Sequence, residues 1–213
     1  RRIHVFCGQR NVQRRLRLDQ NCPSVAVRIR SQRSDYQPVN FDPNRPIGLF
    51  DSGIGGLSVA RHVMELMPNE NTIYFGDTAR VPYGSKSPRT VVGYARQAAA
   101  FLETLGVKMI IVACNTASAH ALSELTEHAR VPVLGVIEPG ADAAVASTRR
   151  GTIGVIGTEG TVRSDAYGAA VRSRNGSVSV HGRACPMLVG FAEEGLVDHP
   201  ATRMMCEEYL SPL

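Results

Sequence analysis

The residue best placed to do chemistry is Cys114, which stands where an unbroken apolar run, Met109 to Ala113, gives way to Asn115, Thr116 and Ser118. A run of that kind has the pattern of a strand buried on both faces. Small and apolar residues then recur at helical spacing from Ala117 to Leu125. Asn and Thr are good capping residues, so the turn after Cys114 starts a helix. A thiol between a strand end and a helix N-terminus sits at the edge where open α/β sheets bind ligands, and the helix dipole there favours a thiolate. A buried structural cysteine would fit the same pattern. Backbone N–H groups at this helix start, with the Asn115 and Thr116 side chains, can cradle a carboxylate.

A second turn, Asp51-Ser52-Gly-Ile-Gly-Gly56, has the strand–turn–helix setting of a phosphate loop but neither its glycine spacing nor its lysine. Asp51 at its mouth would repel phosphate and could instead receive an ammonium group or help manage a proton. Asp51 and Ser52 as plain helix caps are the alternative. Tyr83-Gly84 can offer a phenol and an exposed N–H, and Thr158, in Gly157-Thr-Glu-Gly-Thr161, offers a hydroxyl in a third strand-end turn. His120, six residues past Cys114, falls on a different side of a helix, which argues against a Cys–His pair.

These residues need elements to hold them. Ile47 to Phe50 reads as a buried strand and Leu57 to Met67 as a helix ended by Pro68. Thr72 to Phe75 reads as a strand, Thr90 to Leu105 as a helix, and Val131 to Val136 as a further strand. Glu138-Pro-Gly140 reads as punctuation, after which the alternation restarts. Helices are predicted over 141–147, 164–173 and 201–210, and strands over 152–156 and 177–180, with Cys185-Pro186 in a loop or strand end. This is an α/β protein with mainly parallel sheets. Three segments follow: an Arg-rich extension over 1–45, predicted to be disordered, a first α/β domain over 46–137, and a partial second one over 138–213.

The chain has 213 residues, enough for a sizeable core. Residues 1–45 hold ten Arg against Asp19, Asp35 and Asp42, a local +7 that leaves the other 168 residues at −2 of the overall +5. A basic arm for nucleic acid would therefore rest on that segment alone, and no nucleic-acid partner is expected of the body. No apolar run reaches the roughly 20 residues of a membrane helix. Five irregularly spaced cysteines without a CxxC pair fit reduced thiols in the cytoplasm, with no structural zinc.

Taken together, Asp51-Ser-Gly-Ile-Gly-Gly, Gly76-Asp-Thr-Ala-Arg-Val-Pro-Tyr-Gly, Ala113-Cys-Asn-Thr-Ala, Gly154-Val-Ile-Gly-Thr and Ala184-Cys-Pro resemble the bacterial glutamate racemases of the aspartate/glutamate racemase superfamily. The resemblance runs from about Pro46 to Leu213. It implies two doubly wound α/β domains facing each other across a site, often in a homo-oligomer. The implied reaction interconverts L- and D-glutamate for peptidoglycan synthesis, with two cysteines as acid and base and no metal or other cofactor. It assigns Cys114 the role of first cysteine, assisted by Asp51. Asp51, Ser52, Tyr83, Gly84, Asn115, Thr116 and Thr158 become substrate contacts, and Glu193 matches a carboxylate near the second half-site.

One motif departs from the pattern. The second cysteine of the family lies in a later Gly-Cys-Thr-His tetrapeptide, and these 213 residues contain none. Cys185 belongs to the separate Ala-Cys-Pro motif. The expectation is a C-terminally truncated racemase with an incomplete second domain, impaired in activity and exposing apolar sheet surface. The alternatives are an amino-acid-binding fragment without chemistry and a racemase of a related acidic amino acid.

Overall fold

The computed structural model describes the backbone of Ile3–Cys7 and all atoms of residues 42–213. Strands β1 (Ile3–Cys7), β2 (Ile47–Asp51), β3 (Thr72–Gly76), β4 (Met109–Val112) and β5 (Val133–Gly135) form one wholly parallel sheet in the order β1-β3-β2-β4-β5. Helices α1 (Leu57–Leu66), α2 (Pro88–Thr104) and α3 (Asn115–His128) connect these strands. Leu57, Ala60 and Val63 of α1 pack with Ile47, Leu49 and Tyr74 on one face. Val91, Ala95 and Leu102 of α2 and Ala117, Ala121 and Leu125 of α3 pack with Phe50, Ile110 and Val112 on the other. Burial on both faces explains why β2 and β4 read as continuous apolar runs.

The winding reverses at the centre of this sheet. From β2 the chain steps outward to β3, then crosses back over β2 to β4. Such a reversal opens a crevice beyond the carboxyl ends of the two strands on either side of it. Asp51 ends β2, and Cys114 follows β4 by two residues. The topology alone therefore brings these two residues to one crevice.

A second unit begins with α4 (Ile137–Ser147) and is built on the parallel pair β6 (Thr152–Gly157) and β7 (Ser179–Ala184). Helices α5 (Glu159–Arg163), α6 (Ala166–Arg174), α7 (Pro186–Glu193) and α8 (Pro200–Leu210) complete it. Its core joins Ile137 and Ala141 to Ala170, Val171 and Val178. Along β6, Ile153 and Val155 are half-buried and the alternate residues face outward, leaving Ile156 49% exposed. Among the described residues no helix is long and apolar enough to cross a membrane.

The structure corrects several expectations. Glu138-Pro139-Gly140 does not punctuate the chain but lies in the first turn of α4. Pro139 is the third helical residue, where an N–H has no intrahelical acceptor, and Gly140 N–H already donates to Val136 O at 3.1 Å. Cys185-Pro186, expected in a loop or strand end, instead opens α7, with Cys185 as its N-cap residue and Pro186 its first helical residue. Ile3–Cys7 forms an edge strand in register with Thr72–Gly76, although no strand period was evident there. The expectations for residues 1, 2 and 8–41 lie outside the described residues.

Candidate functional site

Cys114 is itself the N-cap of α3. Its backbone is extended (φ −73°, ψ 118°) and its Sγ accepts the Ala117 N–H at 3.4 Å. Capping was expected of Asn115 and Thr116, which instead open the helix. The thiol is 4% exposed and lies 3.6 Å from Ser52 Oγ. The hydrogen bonds with Ala117 and Ser52 pull the thiol down, yet the opposite effect wins. Burial, followed by the negative charge of Asp51, pushes the Cys114 thiol up to about 11. The helix start does not deliver a resting thiolate here, because the desolvated site already holds a carboxylate.

That carboxylate is turned back on its own loop. Asp51 Oδ2 accepts the N–H groups of Gly53 at 3.1 Å and Gly56 at 3.0 Å. Gly56 is required by space, since a Cβ there would stand 2.6 Å from Asp51 Cβ and 2.9 Å from Ala113 Cβ. Tyr74 donates its hydroxyl to Gly53 O at 2.9 Å, and burial keeps that phenol protonated far into the alkaline range.

The second unit closes over this crevice through polar contacts. Thr158, the N-cap of α5, shares a hydrogen bond of 2.8 Å with Thr116 Oγ1, and Thr161 Oγ1 lies 3.2 Å from Thr116 and 3.0 Å from Thr158. Tyr167 donates to Asn115 Oδ1 at 2.7 Å. Glu193, at the end of α7, accepts the Ile54 N–H at 3.0 Å. His120 is turned to Gly160 O at 3.1 Å, away from any pairing with the thiol.

The structure thus gathers Asp51, Ser52, Cys114, Asn115, Thr116 and Thr158 around one crevice. Gly84 is buried and packs so closely on Thr158 that a Cβ would overlap it. Tyr83 differs from the expectation. Its ring is 1% exposed and its hydroxyl donates to Asp77 at 2.5 Å, so the phenol is engaged inside the protein rather than offered to a ligand. Asp77 and Tyr167 were missed because each acts through a partner distant in sequence or through a turn that gives no periodic pattern, whereas Thr161 lies in the hydroxyl-bearing turn already singled out. Among the described residues no three His, Cys, Asp or Glu side chains converge as a metal site requires.

Comparisons with known proteins bear on this arrangement. The family model described as Asp/Glu/Hydantoin racemase matches residues 56–208. The glutamate racemase of Geobacter metallireducens is 53% identical over 171 residues, covering 80% of this chain and 63% of that protein. That of Neisseria meningitidis serogroup C is 48% identical over 175 residues, covering 82% and 65%. Among solved structures, glutamate racemase isoform RacE1 from Bacillus anthracis superposes with a TM-score of 0.77 at 40% identity, over 80% of this chain and 64% of that one. The Francisella tularensis glutamate racemase, solved with D-glutamate, gives 0.74 at 44% identity over 79% and 64%. The chain therefore spans a little under two thirds of the length of these relatives.

Proposed function

Because the chain belongs to the Asp/Glu/hydantoin racemase family, we propose that its crevice is the Cys114 half-site of a cofactor-independent glutamate racemase. The observation that carries this reading is the pairing of a buried thiol with a carboxylate at adjacent strand ends, at the start of α3. The α-carboxylate of glutamate fits the N–H groups at the start of α3, flanked by Asn115 and Thr116. Its ammonium group fits beside Asp51. Thr158 and the backbone around Gly84 bound the far side, with Ser52 against the sulfur.

Charge sets the order of events. With the site empty, Cys114 holds its proton, because burial and Asp51 both oppose the thiolate. The ligand's ammonium group, set next to Asp51, offsets one of those two causes and so eases formation of the thiolate that is needed as a base. The thiolate then takes the Cα proton and the electron pair passes into the α-carboxylate. Returning a proton to the same face restores the starting enantiomer, whereas inversion needs an acid on the opposite face. Cys185 has its Sγ directed to Arg183 O at 3.5 Å, and Cys206 lies in α8, so neither joins the hydrogen bonds around Cys114. The parent reaction would operate in the cytoplasm and supply D-glutamate for peptidoglycan.

The test is to incubate the 213-residue chain with L- and D-glutamate in deuterated water, following Cα–H by proton NMR and configuration by chiral chromatography. Deuterium exchange in one enantiomer with retained configuration is expected. Robust conversion of L- to D-glutamate would show that a second base is present and overturn the one-thiol account. A second reading, glutamate binding without chemistry, is favoured by the protonated resting thiol. Calorimetric binding without any exchange would establish it.

A further inference from the structure

The loop that carries Gly84 is held by a closed set of side chains that the proposed chemistry does not use. Asp77 is 2% exposed, and a carboxylate so buried needs a cationic partner. Its Oδ2 receives both the Tyr83 hydroxyl at 2.5 Å and Arg80 Nε at 2.7 Å. The same guanidinium donates through Nη1 to Gln97 of α2 at 2.6 Å and stacks 4.3 Å over the Tyr94 ring. The Tyr94 ring in turn packs against Tyr83, with centroids 5.5 Å apart and planes inclined at 50°. Arg80 thus touches Asp77, Gln97 and Tyr94 together, and two of these three hold Tyr83.

Tyr83 begins the 3-10 turn Tyr83–Ser85, closed by Lys86 N–H donating to Tyr83 O at 3.0 Å. The next residue, Gly84, presses on Thr158, which is hydrogen-bonded to Thr116. Asp77 is also tied to the other strand end, since its N–H donates to Asp51 O at 2.9 Å. We infer that Arg80 is a positioning residue that fixes the height of the Tyr83–Ser85 turn, and with it the Gly84–Thr158 wall of the crevice. Lysine cannot replace it in full, because one ammonium group cannot serve Asp77 and Gln97 in a planar fork while stacking on Tyr94.

The inference rests on the glutamate reading for its ligand, so the test has one readout that needs no ligand. Arg80→Met keeps the aliphatic stem and removes the fork. Hydrogen exchange at the Lys86 amide should rise at least about tenfold in this variant, while the Ala129 amide at the far end of α3 stays as in the parent. The glutamate dissociation constant measured by calorimetry should also rise at least about tenfold, and Arg80→Lys should fall between parent and Arg80→Met in both readouts. Unchanged exchange at Lys86, or a rise at Lys86 and Ala129 alike, would overturn the positioning role. Equal glutamate affinity in parent and Arg80→Met would overturn its extension to the ligand. A parent chain that binds no glutamate while Lys86 still responds would instead remove the glutamate reading and leave the turn-positioning role standing.

Discussion

Asp51 and Cys114 stand at the ends of neighbouring parallel strands, and the charge of the first raises the proton affinity of the second. In the resting protein the pair thus stores a proton on sulfur rather than presenting a nucleophile. The helix start and Ser52 act in the opposite direction and are outweighed by burial and by Asp51.

This predicts the reactivity of the thiol. Alkylation of Cys114 by iodoacetamide should speed up roughly tenfold per pH unit from pH 7 and level off only near the value of about 11 to which the thiol is pushed. Asp51→Asn removes the second-largest cause, so its profile should shift to lower pH and react faster than the parent at pH 8. Mass spectrometry of the Cys114 peptide gives both curves. A parent profile levelling below pH 9 would contradict the arrangement.

Two glycines should respond to alanine with opposite signs. Gly84 has the Thr158 side chain where a Cβ would go, so Gly84→Ala should destabilise by roughly 1–3 kcal/mol. Gly93 lies inside α2 with nothing within 4 Å of its Cβ position, so Gly93→Ala should stabilise by about 0.5–1 kcal/mol. Urea unfolding of the two variants beside the parent checks both signs.

Tyr167→Phe isolates a contact between the two units. It deletes the hydroxyl that donates to Asn115 Oδ1 and leaves the ring in place. A loss of about 1 kcal/mol is expected by urea unfolding. The amide of Asn115, freed from this partner, should also bind glutamate less tightly by calorimetry.

Alkaline stability follows from three raised groups. Cys114 keeps its proton in the fold above the ordinary cysteine value of 9.0, and Tyr74 and Tyr83 keep theirs above the ordinary tyrosine value of 10.0, each mainly through burial. In each case the unfolded chain loses the proton first. Their contribution is therefore fully present below pH 9, and it falls as pH rises from 9 through about 11 for Cys114 and from 10 upward for the phenols. Melting temperatures measured from pH 8 to 11 should drop accordingly, with a shallower fall between 9 and 10 in Cys114→Ser.

The strand ends that carry Asp51 and Cys114 were legible because β2 and β4 are buried on both faces, and burial of that kind writes an apolar run into the sequence. The edge on which both strands end was legible from the strand–helix alternation, whereas the strand order that makes β2 and β4 neighbours was not. Residues that act across the fold left no such trace. Tyr167 reaches Asn115 across 52 positions, a distance over which spacing carries no information. Tyr83 was placed on the correct loop but facing the wrong way, because its orientation depends on Asp77 and Arg80 meeting at one oxygen atom. Pro139 misled for a local reason: a proline reads as a break unless it falls in the first turn of a helix.

The central position of β2 also governs when the crevice can exist during synthesis. This strand leaves the ribosome before both of its neighbours, β3 and β4, and its second edge stays bare until Val112 has been made. Both pairings are parallel and cross an intervening helix, the kind of non-local contact that forms slowly. Asp51 is translated 63 positions ahead of Cys114, yet the two can only be set against each other once the later strand docks. A nascent chain stalled before that point carries the carboxylate loop without Cys114 and with an open sheet edge for chaperones to shield.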